Sequence, residues 1–600
     1  MHPSFYNGKS SYNNIPSVFQ PERDRFEEKI YRYSQLNKLP VLGICRGMQL
    51  INVLEGGKLI LDLDQGNERH RKEESDKEHT IVAENKTLLH QVAGSASGHV
   101  NSAHHQAIDP NAIGDNLMVN AYDDDEEKII EGLEFKNKVG KAFMLCIQWH
   151  PERMKEKEKN AFSQNIKKQF LTAVRETTTK KLSIVNPATE EIIANLGEDN
   201  KDTLKTKFES IQQAQPGWCK TLLSERIQVL IRFSELVEKN TAQLATVLTS
   251  EVGKPLAQSR NEIKGATARI KWLAQNAEKY LADEIMNSTD GSNGHRMEER
   301  ISYEPLGVVC NISAWNYPYL VGVNVFVSAL LAGNGVMYKP SEYSMLTGLQ
   351  IEKLLKEAGV PENVFHIAVG AGNVGELLLD VPFDGYFFTG SYKTGKHIYE
   401  RVAAKMVPCQ CELGGKDPLY VADDVKDIKA VAVATADGAF YNNGQSCCAV
   451  ERIYVNEKVY GQYINEFVKE VRSWKVGLPT EDGVYIGPLS RKGQLEVLKN
   501  QVEDAVSKGA KILAGGNIRQ GKGYYFEPTV LVDVDHSMIV MKDESFGPVI
   551  GIMKVKNDHE AIELMKDTEY GLTAAVYSAD KGKADYILRG INVGTGYWNC

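Results

Sequence analysis

The sequence predicts an α/β protein of two unlike units, and three observations carry that expectation. Its 600 residues exceed what one hydrophobic core organises. The apolar run Leu39–Ile44 meets a cysteine, a glycine and the helix-like stretch Met48–Leu54, a strand–turn–helix pattern. From Ile301 onward, short apolar runs alternate with helical periods, the pattern of parallel strands joined by crossover helices.

Composition narrows the function classes. A hydrophobic share of 42% with 25% charged residues suits a soluble globular chain and argues against disorder. The net charge of −9, without a sustained basic stretch, argues against a nucleic-acid partner. The densest basic run, Arg153–Lys168, is broken by acids and reads as a solvated helix face. The opening MHPSFYNGKSS lacks a basic-then-apolar signal peptide, and no window reads as a membrane span. The nine cysteines are odd in number and form no CxxC pair, which points to free thiols in a reducing compartment, the cytoplasm. Cys409-Gln410-Cys411 reads as strand, and no metal set is read.

Along the first unit, Cys45 sits at the turn between Leu39–Ile44 and Met48–Leu54. A cysteine at such an elbow is exposed at a strand's carboxyl end and close to a helix N-terminus, which lowers a thiol pKa. A second strand, Phe143–Ile147, runs into Gln148-Trp149-His150-Pro151-Glu152. The i, i+2 spacing puts His150 and Glu152 on one face of a strand end. Lys155–Thr179 reads as a charged helix, and residues 177–181 as a short linker.

GICRG, VNSAHHQAID and QWHPE together resemble the class I glutamine amidotransferase fold, in its gamma-glutamyl hydrolase branch of peptidase C26 type. The resemblance implies a flavodoxin-like domain over residues 1–176. It implies Cys45 as nucleophile, His150 as its general base and Glu152 as the group orienting His150. His104 and His105 would lie near the substrate, a gamma-glutamyl amide. The family carries further strands and a Gly-rich loop before the point matching Met1, so this end reads as clipped.

The second unit opens at SIVNPATEEII, with helical patterns over Asp202–Gln213, Ser224–Leu248 and Leu256–Ala282. Glu284–Pro305 reads as a polar hairpin turning at Asp290-Gly291. Tyr319–Met337 reads as a buried helix followed by a turn and strand. Gly370-Ala371-Gly372-Asn373-Val374-Gly375 is a literal GxGxxG after the strand-like run Val364–Val369, a weak signal alone.

SAWNYP, YKPSE, FTGSYKTG, ELGGK, GQSCC and ESFGPV follow one another from Ser313 to Val549 in the order and with the gaps of NAD(P)-dependent aldehyde dehydrogenases, which residues 181–600 resemble. The resemblance implies a Rossmann-like NAD-binding subdomain over 182–413 and an α/β catalytic subdomain over 414–600. It implies Cys447 as nucleophile, with Cys448 its neighbour, Asn316 as oxyanion donor and Glu412 as general base. Beside Leu413 and paired glycines, Glu412 is expected to be desolvated. The cofactor, NAD with NADP as the alternative, would be held by Trp315, Lys339, Ser341, Glu342, Gly372, Gly390, Ser391, Gly395, Leu413, Glu544 and Phe546. A carboxylate at Glu342 would repel a 2′-phosphate and favour NAD. The hairpin would be an oligomerisation arm, so a homo-oligomer is expected. Family members continue past the point matching Cys600, so this end also reads as clipped.

The expected activity is therefore oxidation of an aldehyde to an acid through a cysteine thioester, in a chain also carrying a gamma-glutamyl hydrolase-like unit. That pairing points to gamma-glutamyl-aminobutyraldehyde, with succinate semialdehyde as competitor. Two alternatives stay open: a hydrolase with an inactive dehydrogenase half, and a dehydrogenase with a non-catalytic front module.

Overall fold

The computed structural model describes residues 2, 5, 12, 14, 15, 19–72, 74–178, 180–290 and 294–600. The chain divides into two compact units, Met1–Thr179 and Lys180–Cys600.

The first unit is built on a six-stranded sheet. Val41–Ile44 lies parallel to Met144–Ile147 at one edge. Ile130–Phe135, Leu117–Asp123, Lys77–Ala83 and Ser97–Ser102 follow in antiparallel pairs. Met144–Ile147 is buried throughout because both sheet faces are covered. Met144 and Cys146 pack with Tyr31, Met48 and Ile51 on one face, while Leu145 and Ile147 pack with Trp149, Phe162 and Ile166 on the other. That two-residue alternation is the pleat of a strand.

The helix expected over Lys155–Thr179 begins later, at Ala161–Thr178. Glu156 takes a φ of 47°, outside helical space, and the Asn160 carbonyl oxygen of the side chain accepts from the Phe162 N–H at 2.9 Å, as an N-cap does. The basic run is therefore part turn and part helix.

The second unit carries two main sheets. The five-stranded sheet runs Phe365–Ile367, Gly335–Lys339, Val308–Ile312, Gly385–Gly390 and Cys409–Leu413, all parallel. Strand order reverses between Val308–Ile312 and Gly385–Gly390, so the carboxyl ends of these two strands flank a crevice. The seven-stranded sheet runs Lys511–Ala514, Thr529–Val532, Val549–Val555, Arg452–Asn456, Pro418–Val421, Thr573–Tyr577 and Thr595–Trp598; only its first pair is antiparallel.

Two helix expectations change. The stretch Ser224–Leu248 is two helices, Leu223–Lys239 and Thr241–Val252. At the break Asn240 Nδ2 donates to the Leu236 carbonyl at 2.8 Å and Thr241 Oγ1 to the Glu238 carbonyl at 2.7 Å, so side chains take over the last carbonyls of the first helix. The first helix, expected over Asp202–Gln213, runs through an exposed Pro216 to Lys220. The extra turn buries Trp218, whose Nε1 donates to the Leu330 carbonyl at 2.9 Å. The buried helix Pro318–Leu331 and strand Gly335–Lys339 are as expected.

Glu284–Asp290 and Arg296–Ile301 form the expected antiparallel hairpin, solvent-exposed along Arg296–Ile301. Its expected turn residue Gly291 lies outside the described residues, as does Thr179 in the expected linker. No described helix is long and apolar enough to cross a membrane.

Candidate active site

The crevice at the strand-order reversal is a cavity of about 270 Å³. Ala314, Trp315 and Asn316 enter it after Val308–Ile312, and Thr389, Gly390 and Ser391 from the end of Gly385–Gly390. Leu413 enters from the end of Cys409–Leu413, and Gly414, Cys447, Glu544 and Phe546 from loops that lead into strands of the other sheet. Three unanticipated residues, Arg491, Gln494 and Val497, complete its wall. Trp315 and Phe546 meet edge to face, with ring centroids 5.4 Å apart.

Cys447 is presented by an unusual backbone. Asn442, Asn443 and Gly444 take φ values of 56°, 59° and 70°, three consecutive left-handed residues. For non-glycine residues this conformation costs on the order of 1–3 kcal/mol each and persists only where surroundings dictate it. Here buried side-chain amides do so. Asn442 Nδ2 donates to the carbonyls of Asn316 and Gln445, both at 3.0 Å. Asn443 donates to the Pro488 carbonyl at 2.9 Å and accepts from the Gly487 N–H at 2.7 Å. A Cβ on Gly444 would lie 2.3 Å from the Gly547 carbonyl oxygen.

Asn316 Nδ2 donates to the Gln445 carbonyl at 3.1 Å, which ties the expected oxyanion donor to the cysteine loop. Beneath it Lys254, fully buried, pairs with Glu262, donates to the Asn316 carbonyl at 2.8 Å and lies 3.8 Å above the Tyr317 ring. Lys416 pairs with Glu451 at 2.7 Å, and Glu451 accepts the N–H groups of Ser545 and Phe546 at 3.0 Å each. Neither ion pair is read from the sequence, because each joins charges that periodicity assigns to unrelated elements.

The cysteine pair is asymmetric. Cys447 lines the cavity and Cys448 does not. The Cys448 thiol, 3.7 Å from Cys447 Sγ, lowers the Cys447 pKa below the ordinary thiol value, against the opposing pull of burial and Asp417. Cys448 itself is raised by the same interaction. Burial, then the Glu451 carboxylate, pushes Glu544 up to about 8. Burial pushes Asp417 up to about 7.

Glu412 corrects an expectation. It is exposed, on the outward register of Cys409–Leu413, and is not desolvated. Strand alternation turns its side chain away from the half-buried Cys411 and Leu413.

Lys339, Ser341, Glu342, Gly372 and Gly395 stand outside the cavity lining. Lys339 is buried, and among the described residues its ammonium donates to the Pro340 carbonyl at 3.3 Å. Burial lowers its pKa. Ser341 Oγ donates to Glu342 at 3.2 Å. Gly372 opens the helix Gly372–Leu378, where a Cβ would meet no atom within 4 Å. Ser391 caps Tyr392–Ala403, accepting from the Thr394 N–H. Space at Gly372, a helix N-terminus beside the cavity, and a buried cation next to a carboxylate fit the ribose and diphosphate of a dinucleotide.

In the first unit Cys45 is the expected elbow, with φ 49° and ψ −106° before the helix Arg46–Leu54. His150 Nδ1 contacts Glu152 at 2.8 Å, as expected of an oriented base. The Cys45 sulfur, however, accepts from Gln148 Nε2 at 3.4 Å, and no hydrogen bond joins it to His150 among the described residues. The expected depression of its pKa is also overturned. Burial pushes Cys45 up to about 11, outweighing the Arg46 N–H. His104 and His105 line a pocket with Cys45.

Comparison with known proteins places both halves. The aldehyde dehydrogenase family model matches residues 174–600, and the Peptidase C26 model matches residues 1–152. A glutarate-semialdehyde dehydrogenase of Pseudomonas putida is 34% identical over 69% of this chain and 86% of its own length. A putative NADP-dependent succinate-semialdehyde dehydrogenase of Mycobacterium ulcerans is 34% identical over 66% of this chain and 76% of its own. The solved succinate-semialdehyde dehydrogenase from Burkholderia pseudomallei superposes with a TM-score of 0.67 at 32% identity, covering 70% of this chain and 86% of that one.

Two outcomes follow from this geometry. Gly444→Ala will lower stability by about 1–3 kcal/mol, read as a fall in Tm, through left-handed strain and the collision with Gly547. Cys448→Ala will move the pH midpoint of Cys447 alkylation upward, because the donor that stabilises the thiolate is lost. Mass spectrometry of the Cys447 peptide reads this, and an unmoved midpoint removes Cys448 from the account.

Proposed function

This chain belongs to the aldehyde dehydrogenase family over residues 174–600, and from that premise we propose that it oxidises an aldehyde to a carboxylic acid with NAD, through a thioester on Cys447. The observation that carries the reading is the Cys447 thiol lining the crevice where a dinucleotide-type sheet reverses its strand order.

The Cys447 thiolate attacks the carbonyl carbon, and the carbonyl electrons move to oxygen. The Asn316 amide offers an N–H to that oxyanion, held in place by Gln445, Asn442 and Lys254. A nicotinamide cofactor held in the crevice would supply the hydride acceptor, and the Cys447 adduct that loses hydride becomes a thioester. Glu412 then takes a proton from water, which attacks the thioester and frees the Cys447 thiolate. Exposure suits this role, since its water comes from solvent.

Ser391 at its helix N-terminus, with Gly390, would face the diphosphate. Lys339 and Glu342 would hold the adenosine ribose, with Ser341 and Gly372 bounding that pocket. Gly395 allows the helix after Ser391 to approach Leu413, since a Cβ there would fall 2.3 Å from its side chain. Glu544 and Phe546 would meet the nicotinamide ribose and ring, and Trp315 backs Phe546. Glu342 supports NAD, although two relatives are named for NADP.

Relatives named for glutarate and succinate semialdehyde support an aldehyde with a carboxylate at its far end. Gamma-glutamyl-aminobutyraldehyde fits that description, and the Peptidase C26 match over residues 1–152 favours it. The exposed hairpin supports a homo-oligomer, and nine free cysteines support a cytoplasmic setting.

A second reading concerns the first unit. The strained elbow at Cys45 and the His150–Glu152 pair support hydrolysis of a gamma-glutamyl amide. The Arg46 N–H would serve the oxyanion, and His150 would have to move to Cys45 when substrate binds.

Reduced-cofactor formation by the purified chain with a panel of aldehydes tests the first reading. Turnover is expected with NAD above NADP, highest for gamma-glutamyl-aminobutyraldehyde, and absent in Cys447→Ala. Activity surviving in that variant defeats the mechanism. Glutamate release from gamma-glutamyl amides tests the second: Cys45→Ala is expected to abolish it, and an unaffected rate assigns the first unit a non-catalytic role.

A further inference from the structure

A buried cluster in the first unit, apart from His104 at the Cys45 pocket, takes no part in either reading. His70, His79, His104, Asp123 and Glu131 are all buried, and Glu131 is wholly inaccessible. They come from separate places: the end of the helix Asn67–His70, the strands Lys77–Ala83, Leu117–Asp123 and Ile130–Phe135, and the segment after Ser97–Ser102. His70 Nδ1, His79 Nε2 and His104 Nε2 converge on one oxygen, Glu131 Oε1, at 3.7, 3.5 and 3.4 Å.

The outer hydrogen bonds say which nitrogen carries a proton. His70 Nε2 faces the Asp123 carboxylate at 3.2 Å, and His104 Nδ1 faces the Gln106 carbonyl at 3.0 Å. Both partners only accept, so these nitrogens hold the N–H. In neutral rings the opposite nitrogens then present lone pairs toward Glu131, His70 Nδ1 also lying 3.2 Å from the Ser102 hydroxyl. Both ring nitrogens of His79, His104 Nε2 and both Glu131 oxygens lack a hydrogen-bond partner. Buried lone pairs facing one another without a cation between them are costly.

Two species could fill that role, and the distances separate them. A proton shared between imidazole and carboxylate draws the heavy atoms to about 2.7–2.9 Å. A metal ion with bonds of about 2.0–2.1 Å holds its tetrahedral donors roughly 3.3–3.5 Å apart. The 3.5 and 3.7 Å from Glu131 Oε1 to His79 and His70 are too long for the first and nearer the second. Charge agrees, since a dication balances Glu131 and Asp123 while the imidazoles stay neutral. His70, His79 and Glu131 place donor atoms within 4.8 Å of one another.

We propose that the first unit binds one divalent transition-metal ion of the zinc type through His70, His79 and Glu131, with His104 beside the Glu131 ligand oxygen. Asp123 orients His70 from outside, the usual partner of a metal-bound imidazole. The bound ion acts as a cross-link between separate elements. It ties a helix end to two strands and, through His104, to the wall of the Cys45 pocket.

The test is metal analysis of the full chain. One zinc per chain is expected after zinc loading and desalting, falling to trace in His79→Ala and in Glu131→Gln. Asp123→Asn is expected to weaken binding about 10- to 100-fold. Cobalt titration of the metal-stripped wild-type chain avoids any folding defect in the variants. It is expected to give tetrahedral cobalt bands without the intense thiolate charge transfer that binding at Cys447 and Cys448 would produce. A wild-type chain that takes up neither ion, or that binds only with thiolate charge transfer, overturns the proposal.

Discussion

The left-handed run Asn442–Asn443–Gly444 is the constraint on which the dehydrogenase site rests. An unsupported chain would not hold two asparagines and a glycine there. The amides of Asn442 and Asn443 offset that strain by satisfying the carbonyls of Asn316, Gln445 and Pro488. The same bonds set the spacing between the thiol and its oxyanion donor. Strain and catalysis therefore share one set of hydrogen bonds, and Cys447 cannot shift without disturbing Asn316.

Buried charge extends this logic outward. Lys254–Glu262 supports the Asn316 loop, and Lys416–Glu451 supports the Ser545–Phe546 loop. Breaking a buried pair by removing one partner typically costs about 3–5 kcal/mol, because the other charge is left unpaired. These pairs make the cavity wall rigid, which suits a site that must align a thiol with a bound dinucleotide. The Glu451 carboxylate also raises Glu544 by repulsion, so one group shapes the loop and tunes its neighbour.

The two cysteine sites contrast. Both thiols stand near backbone N–H groups, yet Cys447 is lowered and Cys45 raised. The difference is the neighbour. At Cys447 the adjacent Cys448 thiol outweighs burial, whereas at Cys45 burial outweighs the Arg46 N–H and the Gln148 amide.

The amino-acid sequence by itself determined the two-unit α/β architecture, the elbow at Cys45, the buried helix at Pro318–Leu331 and the residues that gather around Cys447. Each is a local signal: a period, a turn residue or a motif in a fixed order. It also paired His150 with Glu152, although the strand ends at Ile147 and a helical turn over Pro151–Arg153, not a strand face, brings the two together. Tertiary structure alone decided the rest. Exposure of Glu412, the asymmetry between Cys447 and Cys448, the pairing of Lys254 with Glu262, and the gathering of His70, His79 and Glu131 all depend on burial and distance in the folded chain. Desolvation and Coulomb interaction act through space, so no pattern along the sequence reports them.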